Sequence, residues 1–512
     1  MMFFHYLRFK AYNKLREENG QVQLRKIKDE IGKINFLNIK SKFDYDRSLS
    51  AKQYLINFVG GKRLINAILL SSATGLKIRF LPIPREYQDL LLKHNIKVSR
   101  LFCTVTFMVY MILFWCFGLW HFIRSILNSM LATRKKINEE YVYFDRINHD
   151  NLPAIENNIV SYDIITWMIN YFNIKDKNLY HPVEKSSHFY YKNNSIEFKK
   201  SPFTIDVFSS TGLNLLYKSC KIIFSSLISF KWDQYLLLKE DLDDIFYNYG
   251  SKNNIYLKKY ILPNHITIYR PIWTYSAEKK GVEIATYFYS TSSSPMPVNN
   301  KDYDYLNLSL MNWPINLVYD PYQQAKLNNL MTNECNNRLV SPIYFNTSSQ
   351  TIDNTHKNIV ALFDVQPHRR SGNFGISTYN DYDFDLYKVH QDFLMDIIQT
   401  DKYKEFTFMI KPKRKLSKDR ELIKYRELLE ELNKLNNVIV LSPEIPTFHL
   451  IEKAKLVISF PFTSTAIIAK SMAKPSIFYD PSNKLDLNDP GAHGVTIINN
   501  KNIQLWMDDQ KI

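Results

Sequence analysis

Short apolar runs alternate with amphipathic segments through the last third of the chain. The apolar runs are typical of strands buried on both faces, and the segments between them have the 3.6-residue period of helices. The predicted strands and helices, in chain order, are Asn358–Phe363, Tyr387–Ile398, Phe406–Ile410, Arg420–Leu435, Val438–Leu441, Phe448–Lys455, Leu456–Ile458, Ala466–Met472 and Pro475–Tyr479. This alternation predicts a doubly wound parallel α/β domain over residues 356–482, followed by a C-terminal tail, 483–512.

The remainder of the chain has a less regular pattern. Residues 1–55 are charged and mostly helical in pattern, and residues 56–345 are predicted to form a second α/β domain. Within it we expect a strand and a loop over Leu76–Pro84, strands at His265–Tyr269 and Val282–Tyr289, and helices at Arg85–His94, at Asp163–Asn173 and within residues 205–250. A chain of 512 residues is long enough for two such domains.

One apolar segment, Leu101–Ile123, contains no charged residue and is flanked by Arg100 and Arg124. Its roughly 23 residues are enough to cross a bilayer. Three interpretations stay open: a transmembrane span, a helix lying in the membrane interface with basic flanks, or a buried helix of the N-terminal domain. A span would put residues 1–100 and 124–512 on opposite sides, although both hold α/β segments. We therefore expect membrane association without a full crossing.

Composition and charge narrow the class of protein. The net charge of +16 and pI of about 9.3 favour a polyanionic partner or an anionic surface. The chain has no zinc-ligand spacing and no RNA-binding sheet signature, so we expect no nucleic-acid partner. The four cysteines form no Cys-x-x-Cys pair, which argues against zinc and disulfides and predicts a cytoplasmic location: Cys103, Cys116, Cys220 and Cys335.

A loop rich in hydroxyl side chains follows the strand that begins at Leu456. Ser459, Thr463, Ser464 and Thr465 lie within seven residues, between this strand and the next helix. In open α/β sheets, ligands bind at the carboxyl ends of strands, and a helix N-terminus there suits a phosphate. The alternative is that one hydroxyl merely caps the helix.

The loops after the other strands of this domain also carry charge. Because parallel strands end at one edge of their sheet, these side chains are expected to share that edge with the hydroxyl loop. They are Asp364, His368, Arg369 and Arg370 after the first strand, Lys411, Lys413, Arg414 and Lys415 after the second, and Glu444 after the third. Each basic loop alone is typical of a solvated surface. Together they match the needs of a nucleotide with one or two phosphates.

These motifs resemble the bacterial polysaccharide-biosynthesis family named for its PFTS sequence, which stands at Pro461–Ser464. The resemblance rests on that motif and on Phe363–Arg369, Ile410–Arg414, Ser442–Ile445, Tyr479–Pro481 and His493–Gly494. More distantly, the C-terminal domain is similar to GT-B glycosyltransferases that use CMP-linked acidic sugars. The relatives' Lys-Pro-His-Pro sequence is Lys-Pro-Lys-Arg here, so their histidine is absent.

The resemblance implies a GT-B-like fold, with two Rossmann-like domains and an extra apolar N-terminal helix. It implies a glycosyltransferase of capsule or O-antigen biosynthesis that uses a nucleotide-sugar donor and a glycan or lipid-linked glycan acceptor, without a cofactor or metal. Carried over, the donor-binding residues are Arg369, Lys411, Lys413, Arg414, Glu444, Ser459, Thr463, Ser464 and Thr465.

Reaction chemistry and location remain more open. By loop position, Asp364 and His368 are candidate bases, with Glu278, Glu283 and Asp206 as weaker ones. A teichoic-acid-type polyol-phosphate transferase with a CDP-linked donor and a non-catalytic assembly protein are the alternatives. We expect the protein to associate peripherally with the inner face of the cell membrane.

Overall fold

Two mostly parallel β-sheets, each covered by helices, organise the chain. They are seen in a computed structural model. It describes residues 10, 18–34, 42–56, 61–131, 139–147, 164–174, 178–181, 189–191, 194–203, 205–250, 252–262, 269–288, 296, 306–331, 335–340, 352, 356, 358–365, 367, 387–398, 405–413, 422–461, 463–499 and 502–510.

Helices precede the first sheet. They are α1 (Glu18–Lys33), α2 (Lys42–Tyr54), α3 (Gly61–Thr74), α4 (Arg85–Lys93) and α5 (Arg100–Leu131). The helix predicted at Arg85–His94 is confirmed, but the strand predicted within Leu76–Pro84 is wrong. Ile78 forms only an isolated bridge with Val98, so this segment does not join the sheet. Leu24 and Ile27 of α1 pack into the same core as the first sheet.

The N-terminal sheet has eight strands in the order β3-β4-β2-β1-β5-β6-β7-β8. β3 pairs antiparallel with β4, and the other neighbouring pairs are parallel. The strands are β1 (Tyr141–Phe144), β2 (Asn178–His181), β3 (Phe189–Tyr191), β4 (Asn194–Phe198), β5 (Leu257–Leu262), β6 (Glu283–Phe288), β7 (Ile315–Val318) and β8 (Asn336–Leu339).

Helices cover both faces of this sheet. They are α6 (Ile164–Tyr171), α7 (Ser210–Ser229), α8 (Trp232–Tyr249), α9 (Trp273–Lys279), α10 (Leu306–Ser309) and α11 (Pro321–Leu330). Alternate residues of β1 face opposite sides, as a pleated strand requires. Val142 packs with α6, and Tyr143 lies in the core that contains Leu238 of α8. Burial on both faces explains the apolar strand sequences.

The C-terminal sheet has six parallel strands in the order β11-β10-β9-β12-β13-β14. Val360 packs with Phe393 on one face, and Ala361 packs with Leu450 on the other. The elements are β9 (Ile359–Phe363), α12 (Tyr387–Ile398), β10 (Thr407–Lys411), α13 (Ile423–Leu432), β11 (Val438–Val440), α14 (Thr447–Lys453), β12 (Leu456–Ser459), α15 (Thr465–Ser471), β13 (Ser476–Asp480), β14 (Thr496–Asn499) and α16 (Ile503–Asp509).

The strands and helices predicted over residues 358–479 are confirmed to within three residues at each end. The α/β class and two-sheet organisation are also confirmed, with the apolar helix as an addition. One predicted boundary differs, because the segment expected to be a tail supplies β14, which pairs with β13. The strand predicted at His265–Tyr269 lies mostly outside the described residues, and β5 precedes that position.

Candidate functional site

The C-terminal sheet has a topological switch point between β9 and β12. Its chain runs from β9 outward to β11, then returns to the other side of β9 with β12. Such a reversal leaves a crevice outside the carboxyl ends of the two central strands, where α/β proteins bind ligands. Asp364 follows β9, and Phe460 follows β12 and donates its backbone N–H to the Phe363 carbonyl at 2.7 Å. The PFTS loop and Asp364 therefore meet at this crevice.

The hydroxyl loop is held by its own hydrogen bonds. The Thr465 hydroxyl lies 2.7 Å from that of Ser459 and 3.0 Å from that of Thr463. Thr463 also donates to the Phe460 carbonyl at 3.0 Å. Ser464 precedes α15, is partly exposed, and makes no side-chain capping bond. Three hydroxyls thus shape the loop, and the partly exposed Ser464 is not one of them.

Lys411 brings a cation to this edge. It ends β10, pairs in register with Phe363 of β9, and is only 5 % exposed. Its ammonium donates to the Pro443 carbonyl at 3.3 Å. Burial lowers the pKa of Lys411, and the neighbouring Asp364 carboxylate, itself 3 % exposed, opposes that shift. The positive charge is therefore fixed beside a buried carboxylate at the carboxyl edge.

The other predicted donor residues are less well placed or lie outside the described part. Glu444 and Lys413 are both exposed at the same edge of the sheet. His368, Arg369 and Arg414 lie outside the described residues. The structure thus brings together six of the predicted residues: Asp364, Lys411, Ser459, Thr463, Ser464 and Thr465.

The weaker candidate bases already serve structural contacts. Glu278 forms an ion pair with the buried Arg270. Glu283 of β6 forms ion pairs with Lys259 of the neighbouring strand β5 and with Arg338 of β8. Asp206 accepts the backbone N–H of Phe208 at 3.1 Å, in the turn before α7. These contacts account for the three carboxylates without a catalytic role.

A second switch point lies in the N-terminal sheet, between β1 and β5, and no sequence motif marks it. Asp145 follows β1, and 19 % of its side chain is exposed. It accepts a 2.6 Å hydrogen bond from the Tyr260 hydroxyl of β5. Burial and the Asp145 charge raise the pKa of Tyr260 well above its usual value, so this hydroxyl stays a donor. The backbone of Arg146 is in the left-handed region, with φ 55°. In residues other than glycine this conformation is uncommon and occurs more often at functional sites.

Lys199 follows β4 at the same edge. Its ammonium lies 4.4 Å from the ring centre of Tyr141 and 5.0 Å from that of Tyr180. It has no hydrogen-bond partner among the described residues. Burial lowers the pKa of Lys199 to about 7. Sequence inspection could not have separated this lysine from the many on the surface.

The carboxyl edge of the N-terminal sheet contacts the C-terminal unit. His493 is buried and lies in the segment that connects β13 to β14. Its Nδ1 is 2.7 Å from Oδ2 of Asp320, which follows β7. Its Nε2 lies 3.5 Å from the Tyr319 hydroxyl. Asp320 also caps α11 through the Gln323 N–H. The Asp145 edge therefore faces the unit that carries Lys411.

Within the described part of the chain, no group of three or more His, Cys, Asp or Glu residues could hold a metal ion. The helix predicted at Leu101–Ile123 is present as α5. It is long and apolar enough to cross a membrane, and 22 % of its most apolar window is buried.

Comparisons with known proteins place the chain in a family. Residues 219–506 match the family described as polysaccharide biosynthesis PFTS motif protein. No curated protein matches the chain.

Solved structures give only weak likenesses. HepE from Anabaena, in complex with UDP and glucose, is 10% identical, with a TM-score of 0.31 over 67% of this chain and 81% of that one. The wall teichoic acid polymerase TagF is 8% identical, with a TM-score of 0.33 over 71% and 78%. UDP-GlcNAc 2-epimerase from Neisseria meningitidis, bound to UDP-GlcNAc, is 10% identical, with a TM-score of 0.32 over 68% and 83%. Values this low carry no argument about activity.

The family match covers more than half of the chain and includes the hydroxyl loop at the C-terminal switch point. The chain therefore belongs to the polysaccharide-biosynthesis family of PFTS-motif proteins.

Proposed function

We propose that this protein is a glycosyltransferase of bacterial surface polysaccharide biosynthesis, such as capsule or O-antigen synthesis. It transfers a sugar from a nucleotide-activated donor to a glycan or lipid-linked glycan acceptor. The observation that carries the proposal is that a buried cation, Lys411, and the hydroxyl loop that contains Ser464 lie at the same carboxyl edge of one sheet, beside its topological switch point. Cations and hydroxyls are the groups that bind a nucleotide's phosphate.

On the donor side, Lys411 and Ser464 hold the phosphate to which the sugar is attached. As the sugar–oxygen bond breaks, negative charge develops on this phosphate. A fixed ammonium in a poorly hydrated site stabilises that charge without reorganising. We propose that this charge takes the place of a metal ion. Glu444, at the same edge, contacts the nucleoside, and a CMP-linked acidic sugar is the first donor to test.

On the acceptor side, Asp145 is the proposed base. Its carboxylate removes the proton from the acceptor hydroxyl, whose oxygen attacks the anomeric carbon while the nucleotide phosphate leaves with the bond's electron pair. The Tyr260 hydroxyl orients one carboxylate oxygen and leaves the other for the acceptor. Asp364 is less suited to this task because it is buried beside Lys411. The proposal implies inversion at the anomeric carbon.

The proposed location is the inner face of the cell membrane, where lipid-linked glycans are accessible. Its support is the apolar helix α5, most of whose apolar window is not buried. A soluble chain seldom exposes so many large apolar side chains together without a partner. Membrane contact would bring the acceptor to the N-terminal unit.

The first experiment is a thermal-shift screen of the purified full-length chain against CMP, CDP, UDP, UMP, GDP and ADP. A nucleotide that binds only the folded state must raise the unfolding midpoint. Ser464→Ala should reduce the rise in the unfolding midpoint, because it removes a hydroxyl that donates a hydrogen bond to the nucleotide's phosphate. Ser471→Ala, at the other end of α15, is the matched control, since its hydroxyl donates to the Ile468 carbonyl within the helix.

The outcomes separate the alternatives. Stabilisation by CMP makes CMP-linked acidic sugars the next substrates, whereas a preference for UDP or GDP keeps the glycosyltransferase and discards the acidic sugar. With CDP, product analysis decides, because a polyol-phosphate transferase adds phosphate to its product. No shift with any nucleotide favours a non-catalytic assembly protein and refutes the proposal.

A further inference from the structure

Helix α5 has one narrow buried face and a broad exposed apolar face. Cys103, Phe107, Met111 and Gly118 are its buried positions, and their spacing of four or seven residues places them along one side. Elsewhere large apolar side chains face outward, including Val105, Ile112, Phe117, Trp120 and Leu127, which are 49–58 % exposed. The exposed face extends along the whole helix.

A second helix, α7, adds to this surface, although no feature of its sequence marked it as membrane-seeking. Leu213, Tyr217, Phe224 and Ile228 recur at intervals of four or seven residues, and they are 71 %, 64 %, 63 % and 79 % exposed. This spacing aligns them along one side of the helix. Leu215, Ser219 and Ile223 are among its buried positions and form the opposite side. α7 therefore exposes a row of large apolar side chains to solvent, whereas a surface helix normally exposes its polar side.

α5 and α7 pack against the same helix and contact each other through a side-chain hydrogen bond. Both pack on α8, and the Trp115 indole of α5 donates to the Ser226 hydroxyl of α7 at 2.9 Å. The two exposed faces therefore belong to one surface, larger than the isolated apolar side chains of an ordinary protein exterior.

The charge on this surface has a single sign. Neither helix contains an aspartate or glutamate over its 32 and 20 residues. Arg124, Lys218, Lys221 and Lys231 lie on or directly after the two helices. None of these four forms an ion pair within the part of the chain that the structure describes. Basic side chains around an apolar face are complementary to anionic lipid headgroups.

The contacts of α5 are incompatible with a simple crossing of the bilayer. Any side chain added at Gly118 would come within 3.0 Å of Leu238, so α5 packs closely on α8. His121 also lies 2.7 Å from Asp243 of α8, and Asp243 accepts from Lys239 at 2.6 Å. A crossing would carry these α8 charges into hydrocarbon at a large cost.

We propose that α5 and α7 together form a docking surface that lies in the plane of an anionic lipid bilayer, with their apolar side chains in one leaflet. α8 remains above the headgroups and joins the surface to the first sheet. This inference rests on the membrane part of the proposed function and replaces the possible span with a two-helix contact.

Vesicle flotation of the full chain tests the surface. Binding should be strong to phosphatidylcholine vesicles that contain about a third phosphatidylglycerol, and should weaken with phosphatidylcholine alone or at high salt. Phe224→Gln with Ile228→Gln should weaken binding at least about tenfold. The matched control is Ile423→Gln with Leu505→Gln, which alters two exposed apolar residues of the C-terminal unit and should change nothing.

The depth of labelled cysteines separates an in-plane helix from a span. In every variant, Cys220 and Cys335 are replaced by serine. One variant carries the fluorophore on Cys116. In the other two, Cys116 is also serine, and the fluorophore is on a cysteine introduced by Val105→Cys or by Leu127→Cys. Quenchers at graded bilayer depths then locate each label. In-plane docking predicts one shallow depth at all three positions. A deepest label at Cys116, with shallow labels at either side, would overturn the proposal in favour of a span.

Two other results would also refute it. Unchanged flotation of the Phe224→Gln, Ile228→Gln variant would exclude α7 from the surface. A dimer in lipid-free ultracentrifugation, dissociated by the same two substitutions, combined with no vesicle binding, would assign the surface to a second copy of this chain. Nucleotide binding in solution does not involve these helices, so that screen can succeed or fail independently.

Discussion

Lys411 offers a prediction in which stability and donor binding can be separated. Lys411→Met keeps the aliphatic stem but removes the charge beside Asp364. Both side chains are almost fully buried, at 5 % and 3 % exposed. Leaving a buried charge without its partner costs about 3–5 kcal/mol. We therefore expect the single variant to be destabilised by about that amount.

A second substitution removes the cause of this loss. In Asp364→Asn with Lys411→Met, no buried charge remains at this position, and a neutral pair is far cheaper to bury. The free energy of unfolding should therefore return to within about 1–2 kcal/mol of the wild type. The non-additivity of the two substitutions, measured in urea, gives the coupling between the two residues.

Donor binding should behave differently. A charge-assisted hydrogen bond to phosphate contributes about 1.5–3 kcal/mol, which corresponds to about 10–150-fold in affinity. Neither the single nor the double variant has this cation, so both should bind the stabilising nucleotide that much more weakly in calorimetry. Lys453→Met is the control, because Lys453 donates to the Ile352 carbonyl elsewhere in the same unit.

The two measurements together can refute the assignment. If the double variant regains wild-type nucleotide affinity along with its stability, the ammonium does not contact the phosphate. Lys411 would then only neutralise Asp364, and the donor site would need another cation. If the single variant is not destabilised, the two residues do not form a coupled pair.

Three further predictions concern other parts of the two units. Asp145→Asn should lower kcat at least about 100-fold with nucleotide affinity unchanged, because it removes only the base; unchanged turnover would exclude Asp145. Lys199→Met should stabilise the protein at pH 6, with an advantage that shrinks by about 2–3 kcal/mol between pH 7 and 9. The sign follows because the folded state loses the Lys199 proton near pH 7 while the unfolded state keeps it to about pH 10. Urea unfolding at both pH values measures this, and a constant difference would contradict it. His493→Asn keeps a residue that tolerates the left-handed backbone but loses the hydrogen bond to Asp320. It should lower the free energy of unfolding by about 1–3 kcal/mol in the same urea assay. An unchanged free energy of unfolding would mean that this contact does not hold the two units together.

The sequence predicts the C-terminal sheet well because its strands are nearly continuous apolar runs. Such runs are diagnostic when both faces of a parallel strand are buried, as for Ile359–Phe363. The strands of the N-terminal unit are not all continuous apolar runs. β5 contains Lys258 and Lys259, which interrupt its apolar pattern, and Lys259 is tolerated because Glu283 on β6 neutralises it. That pairing depends on strand order, which a sequence window does not contain.

At Leu76–Pro84 the pattern predicts a strand that the sheet does not contain. Its alternating apolar residues have the period of a strand, but a strand needs a neighbour to satisfy its backbone hydrogen bonds. Only Ile78 finds one, at Val98, and the two prolines remove donors from the rest. Local pattern therefore predicts the tendency to extend, while tertiary contacts decide whether a sheet forms.

The same limit explains why the C-terminal candidate site could be predicted and the acceptor-side site could not. Without its two edge strands, β3 and β8, the N-terminal sheet has the same order as the C-terminal one: β4-β2-β1-β5-β6-β7 corresponds to β11-β10-β9-β12-β13-β14. In each, a Phe-Asp pair ends or follows the first strand, at Phe144-Asp145 and at Phe363-Asp364. Only the second is followed by recognisable motifs, so only Asp364 was selected from the sequence.

The partners of these two carboxylates assign them different tasks. Asp364 is buried beside an ammonium, which favours a permanent negative charge and leaves little access for a substrate. Asp145 is partly exposed; it accepts a hydrogen bond from the neutral hydroxyl of Tyr260 and lies 3.4 Å from Nε of Arg146, so it is more accessible to a substrate than Asp364. Equivalent positions on two similar sheets thus favour Asp364 for holding the donor-side cation and Asp145 for the proton of the acceptor. That division follows from the chemistry of the neighbouring side chains, which only the strand order brings together.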